Sequence, residues 1–150
     1  MGKREDNLLA ARRLLSKHLG QEVSSSRVYQ TEAWGEEDQD PFLNQAVIFE
    51  SSWTPGRGMA KILKLEAQLG RVRLKKMEPR IIDIDMIFYN KRTIDQKKLT
   101  IPHPRMHLRN FALIPLCELI PDFVHPVLKK PLKILLDECQ DRQKVHVFES

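Results

Sequence analysis

Asp83 and Asp85 stand two residues apart in the run Pro79-Arg80-Ile81-Ile82-Asp83-Ile84-Asp85-Met86-Ile87-Phe88-Tyr89. A strand repeats every two residues, so a strand here turns both carboxylates to one face and leaves Ile82, Ile84, Met86 and Phe88 on the other. Two neighbouring acids repel each other and lose hydration, a cost normally relieved by a cation or by strong hydrogen-bond donors. A hard divalent metal is the simplest such cation. The alternative is a half-exposed strand whose acids are merely solvated, and an isolated Asp-x-Asp does not decide between the two.

The preceding residues weigh toward chemistry. Residues 71–80 carry Arg71, Arg73, Lys75, Lys76 and Arg80. A run of charge is often only a solvated loop, but this one feeds directly into the two acids. Carboxylates that hold a metal, a metal that bridges phosphate oxygens, and arginines that neutralise developing charge are together what phosphoryl transfer requires. Further on, Pro102-His103-Pro104-Arg105-Met106-His107-Leu108-Arg109-Asn110-Phe111 starts rigidly and supplies two histidines and two arginines. Phe42 and Asn44 fall on one face at the start of another strand-like run, although an Asn there equally serves a turn.

These side chains need a scaffold. Residues 6–19 carry Leu8, Ala11, Leu15 and His18 on one helical stripe, closed by Gly20. Residues 22–31 and 42–52 read as strands. Thr54 and Pro55 form the cap and first turn of a second helix, patterned by Met59, Ile62, Leu63, Glu66 and Leu69 and ending at Gly70. After the acidic strand come a turn at residues 90–92, a short edge strand at Leu99-Thr100-Ile101, a helix over residues 111–119 interrupted by Pro115, a helix over residues 132–139 and a final strand over residues 144–149. The order predicts an α+β fold of ferredoxin-like (split β-α-β) type, an antiparallel sheet with helices whose first strand is missing.

A chain of 150 residues suits a single domain over residues 1–150. Its net charge of +5 favours anionic ligands without choosing among nucleotides, polyphosphates and nucleic acids. Cys117 and Cys139 lack metal-ligand spacing and read as free thiols of a reducing compartment. No apolar run approaches the ~20 residues of a membrane span, and no signal peptide is expected, so the expectation is a cytoplasmic protein without a membrane partner.

Taken in order, Thr31, Phe42-Leu43-Asn44, Gly70-Arg71-Val72-Arg73, Pro79-Arg80-Ile81-Ile82-Asp83-Ile84-Asp85, Leu99-Thr100-Ile101-Pro102-His103-Pro104-Arg105-Met106, Arg109, Phe111, Pro115-Leu116 and Ile120-Pro121 make the sequence similar to the 6-hydroxymethyl-7,8-dihydropterin pyrophosphokinases of folate biosynthesis. The Arg-x-x-Asp-x-Asp and Pro-His-Pro-Arg-Met pieces are specific in combination. The resemblance implies transfer of diphosphate from ATP, the co-substrate, to the pterin's hydroxymethyl oxygen, with release of AMP. It implies that Asp83 and Asp85 bind two magnesium ions, that Arg71 and Arg80 are catalytic loop cations, and that His103 and Arg109 contact the nucleotide. The pterin is then sandwiched between Phe42 and Phe111, with Asn44 reading its ring edge and the backbone near Thr31 assisting. The partners implied are small molecules only, on a monomer.

Three positions depart from the family pattern. The sequence begins after the apolar strand with which members start, Met77-Glu78 stands where Trp-Gly is usual, and Ala33 replaces a frequent proline. The first two keep a second reading open, a degenerate relative that binds nucleotide or pterin without turnover. A third reading, an RNA-binding module of the same topology, lacks the exposed strand aromatics such modules use and offers acids in their place.

Overall fold

The computed structural model describes residues 2–32, 42–71 and 82–149. Arg80, Met77, Glu78 and Ala33 lie outside them, and Arg71 is described only as the last residue of its helix. The α+β class is borne out: among the described residues four α-helices accompany short antiparallel ladders. The chain divides into two compact units, Met1–Val23 with Ile48–Met86, and Ser24–Val47 with Ile87–Ser150. Among the described residues no helix is long and apolar enough to cross a membrane.

In the first unit, α1 (Gly2–His18) and α2 (Pro55–Arg71) pack together. Leu15 of α1 and Ile62 and Leu65 of α2 form the buried centre, with Leu14, Leu19, Phe49, Met59, Ile84 and Met86 packed around it. The expected stripe on α2 needs one correction. Leu63 is 54 % exposed and Leu65 only 2 %, because a step of three from Ile62 stays on the buried side whereas a step of one leaves it. The cap is as expected, Thr54 Oγ1 accepting from the Arg57 amide at 3.4 Å. Gly20 follows α1 for a reason the sequence conceals: a Cβ there would lie 2.1 Å from the Glu50 carbonyl oxygen.

Each of the two long strands expected early in the chain is broken into a pair. β1 (Gln21–Ser25) pairs with β4 (Val47–Glu50), and β2 (Tyr29–Thr31) with β3 (Phe42–Asn44). Buried Ser26 causes the break. Its amide donates to the Ala46 carbonyl at 2.8 Å, its hydroxyl accepts from the Ala46 amide at 3.0 Å, and its carbonyl accepts from Gln45 Nε2 at 2.7 Å. Side-chain bonds thus replace ladder bonds at that point.

In the second unit β2 is central, flanked by β3 and by β7 (Val145–Val147), both antiparallel to it. Helix α3 (Asn110–Leu119) packs on these strands and on α4 (Leu132–Glu138). Leu113, Leu132 and Leu135 form this unit's core. Pro115 does not interrupt α3 as expected. Its missing N–H only withdraws a donor from the Phe111 carbonyl, one turn earlier. The edge strand β6 (Leu99–Ile101) is present and pairs with β5 (Ile94–Gln96), unforeseen in the polar stretch Ile94-Asp95-Gln96-Lys97-Lys98.

Candidate active site

Residues 82–88 form no ladder among the described residues, contrary to the strand expected there. The segment is instead tied to helix α2, the Ile84 amide donating to Glu66 Oε2 at 2.5 Å. The alternation nevertheless survives. Ile84 and Met86 enter the core of the first unit while Asp83 and Asp85 are exposed. Two exposed carboxylates offer hard oxygen donors, which suits magnesium, an ion commonly bound by one or two carboxylates with substrate phosphates and water completing the shell. Among the described residues no group of three or more His, Cys, Asp and Glu side chains forms a self-sufficient metal cage. A site completed by substrate is the kind these two acids can form.

His103 follows the buried Pro102, and its amide donates to the Ile87 carbonyl at 2.9 Å. Its Nδ1 accepts from the Arg105 amide at 3.2 Å, which holds the ring so that Nε2 carries the proton. Arg109 is exposed at the cap of α3, its guanidinium 4.6 Å from the centre of the Phe111 ring. That separation lies within cation–π range.

On β2 and β3 the register sets Thr31 opposite Phe42 and Tyr29 opposite Asn44. Opposed residues of an antiparallel pair share a face, as do residues two apart, so these four side chains lie together. The face is the one that meets α3: Tyr29 Oη donates to Glu118 Oε1 at 2.6 Å. Burial first, and the Glu118 carboxylate second, push the Tyr29 phenol above its ordinary pKa. Burial would raise Glu118 too, but hydrogen bonds from Tyr29 and Arg27 outweigh it and hold the carboxylate ionised. Thr31 is 1 % exposed, and its hydroxyl has no hydrogen-bond partner among the described residues. Phe42 is 55 % exposed. A buried polar atom beside an open aromatic is what the wall of a heteroaromatic ring site presents.

The second unit thus carries Thr31, Phe42, Asn44, His103, Arg109 and Phe111, and the first carries Asp83 and Asp85. The sequence did not disclose a set of bonds around α3. Asn110 at its start is held by Asp141 and Gln143, polar residues of the C-terminal segment. Nor did it disclose buried His125, whose Nδ1 accepts from the amides of Val127 and Leu128 at 3.2 and 3.0 Å. The only available signals were Asp-x-Gln and His-Pro, both common turn patterns.

Comparison with known proteins first gives a class: the chain falls among the pyrophosphokinases, transferases of a diphosphate group. It belongs to the 7,8-dihydro-6-hydroxymethylpterin-pyrophosphokinase (HPPK) family, whose model matches residues 1–121. The 2-amino-4-hydroxy-6-hydroxymethyldihydropteridine pyrophosphokinase of Synechocystis is 39 % identical over 134 residues, covering 89 % of this chain and 68 % of its own. The enzyme of the same name from Aquifex aeolicus is 39 % identical over 133 residues, covering 89 % of this chain and 82 % of its own. A Dictyostelium discoideum protein named folic acid synthesis protein FOL1 is 35 % identical over 128 residues, 85 % of this chain but only 19 % of that protein.

Proposed function

We propose that this chain, acting as one monomeric domain, transfers diphosphate from ATP to 6-hydroxymethyl-7,8-dihydropterin and releases AMP, a step of folate biosynthesis. The observation that carries the reading is family membership across residues 1–121. The free thiols Cys117 and Cys139 agree with a cytoplasmic setting.

The pterin hydroxymethyl oxygen attacks the β-phosphorus of ATP. An O–Pβ bond forms, the bond from Pβ to the bridging oxygen breaks, AMP leaves with that oxygen, and the hydroxyl proton is lost. Asp83 and Asp85 would hold magnesium, two ions as the family resemblance implies, beside the triphosphate. Magnesium, when bound, neutralises phosphate charge and acidifies the attacking hydroxyl.

His103 donates to the nucleotide phosphates from Nε2, a role supported by the bond that occupies its Nδ1. Arg109 contacts the same phosphates, and its stacking on Phe111 couples that contact to the pterin wall. Arg71 and Arg80 neutralise charge developing on the transferring and leaving groups. Phe42 and Phe111 enclose the pterin ring, a role supported by the exposure of Phe42, while Asn44 and the backbone near Thr31 read the ring edge. Fixing both substrates in line accounts for much of the acceleration in such a reaction.

The test is to incubate the chain with ATP, magnesium and the hydroxymethyl pterin and to identify the pterin product by mass. A pterin heavier by one diphosphate, formed in step with AMP, is the expected result. Binding of both substrates with no such product rejects the assignment and leaves a binding protein.

A further inference from the structure

We propose that Asp141, with Asn110 and Gln143, forms a positioning clamp that sets the pterin wall of the site; the inference rests on the function proposed above. The three residues lie on the second unit, and Asp141 and Gln143 lie beyond residue 121, where the family match ends.

Helix α3 begins at Asn110, and its cap residue Arg109 supplies no side-chain bond. The first amides of a helix need acceptors from elsewhere. Asp141 provides one from a distant part of the chain: its Oδ2 accepts from the Asn110 amide at 2.9 Å. A carboxylate at a helix N-terminus is favoured by the helix dipole as well. The other carboxylate oxygen, Oδ1, accepts from the Gln143 amide at 3.0 Å, which folds residues 141–143 into a tight turn. Asn110 completes the lock by donating from Nδ2 to the Asp141 carbonyl at 2.7 Å and to the Gln143 carbonyl at 3.4 Å.

The same turn reaches the other side of the candidate pterin slot. Gln143 Nε2 donates to the Glu32 carbonyl at 3.0 Å, and the Glu32 amide donates to the Lys144 carbonyl at 3.3 Å. β7 then continues the attachment, with Val145 opposite Thr31. Asn110 stands between Arg109 and Phe111, and Glu32 directly follows Thr31. One turn therefore fixes the start of α3, which bears the Arg109–Phe111 stack, relative to the end of β2, which bears Thr31. None of the three clamp residues needs to touch substrate. Their effect is to hold Phe111 at the spacing a flat ring requires.

The test measures binding of the hydroxymethyl pterin in the presence of magnesium and an ATP analogue with a methylene group between the α- and β-phosphorus, and binding of that analogue alone. It uses the full chain and the variants Asp141→Ala, Asp141→Asn and Gln143→Ala. Loss of a hydrogen bond to a charged group predicts a pterin dissociation constant raised roughly tenfold in Asp141→Ala. The analogue constant is expected to rise by less than the pterin constant, because of the nucleotide contacts His103 and Arg109 only Arg109 adjoins the clamped Asn110, and Asp141→Asn, which keeps one acceptor oxygen, is expected to recover part of the loss. An unchanged pterin constant, or equal weakening for both ligands, overturns the clamp. If Asp141→Ala does not fold, Gln143→Ala decides by the same comparison. If the unaltered chain binds no pterin, the proposed function fails instead. The clamp is then read from amide exchange: faster exchange confined to the first turn of α3 in Asp141→Ala, or in Asp141→Asn where the alanine variant does not fold, supports it, and unchanged exchange there overturns it.

Discussion

Thr31 and Phe42 are directly opposed across the β2–β3 ladder, one buried with a hydroxyl unpartnered among the described residues and the other with more than half its surface open. An unpaired hydroxyl in a buried position costs about 1–3 kcal/mol unless something else satisfies it. In the proposed function a pterin edge, rich in ring donors and acceptors, becomes that partner. Thr31→Val is therefore expected to keep or raise the melting temperature while raising KM for the pterin by about tenfold or less, in keeping with one neutral hydrogen bond. Phe42→Ala removes an exposed ring and should change stability by no more than about 0.5 kcal/mol, with a larger loss of pterin affinity. Thermal unfolding paired with steady-state kinetics checks both, and a Thr31→Val variant that binds pterin normally would show the hydroxyl to be incidental.

Asp85 is exposed, so its replacement leaves no cavity. Asp85→Ala should lower kcat by about a hundredfold or more, the scale of several kcal/mol of lost electrostatic stabilisation. Unfolding by denaturant should be unaltered within about 0.5 kcal/mol. Titrating magnesium into the variant checks the role: a lost ligand raises the concentration needed for activity, whereas a purely structural defect would not.

Much of this pair was legible in the sequence, since alternation of isoleucines and acids set the direction of each side chain whether or not the segment joined a ladder. That the segment joins no ladder among the described residues was not legible. Pairing depends on what lies alongside, and here Glu66 of α2 takes the Ile84 amide. The same reason explains why residues 22–31 and 42–52 looked continuous: the interruption is made by Ser26, a residue whose local pattern gives no sign that it is buried. The face shared by Phe42 and Asn44 followed from the period of two, but Thr31 joins them only through register. Asp141 was illegible because its partner Asn110 is thirty-one residues away.

His125 is 5 % exposed. Burial first, and the neighbouring His107 second, hold its pKa below the ordinary histidine value. The unfolded chain, with a histidine pKa of about 6.5, therefore binds the proton more readily than the folded one. The stability contributed by neutral His125 is fully present above that value and is lost as pH falls through it toward the lower folded pKa. Protonation of Nδ1 would also break the bonds from the Val127 and Leu128 amides. Denaturant unfolding between pH 5 and 8 should show stability declining on the acid side, and His125→Gln should flatten that decline.

Leu113 is 1 % exposed at the centre of the second unit's core. Leu113→Ala should destabilise by about 2–5 kcal/mol through lost burial and the cavity left behind. Denaturant midpoints measure this directly, and a change below about 1 kcal/mol would show that α3 and α4 are not packed as described.

The nucleotide product reports the identity of the group transferred. With ATP, magnesium and 6-hydroxymethyl-7,8-dihydropterin, AMP is expected in amounts equal to pterin consumed, and none above background when the pterin is omitted. ADP as the product, or no pterin-dependent AMP, would contradict diphosphate transfer.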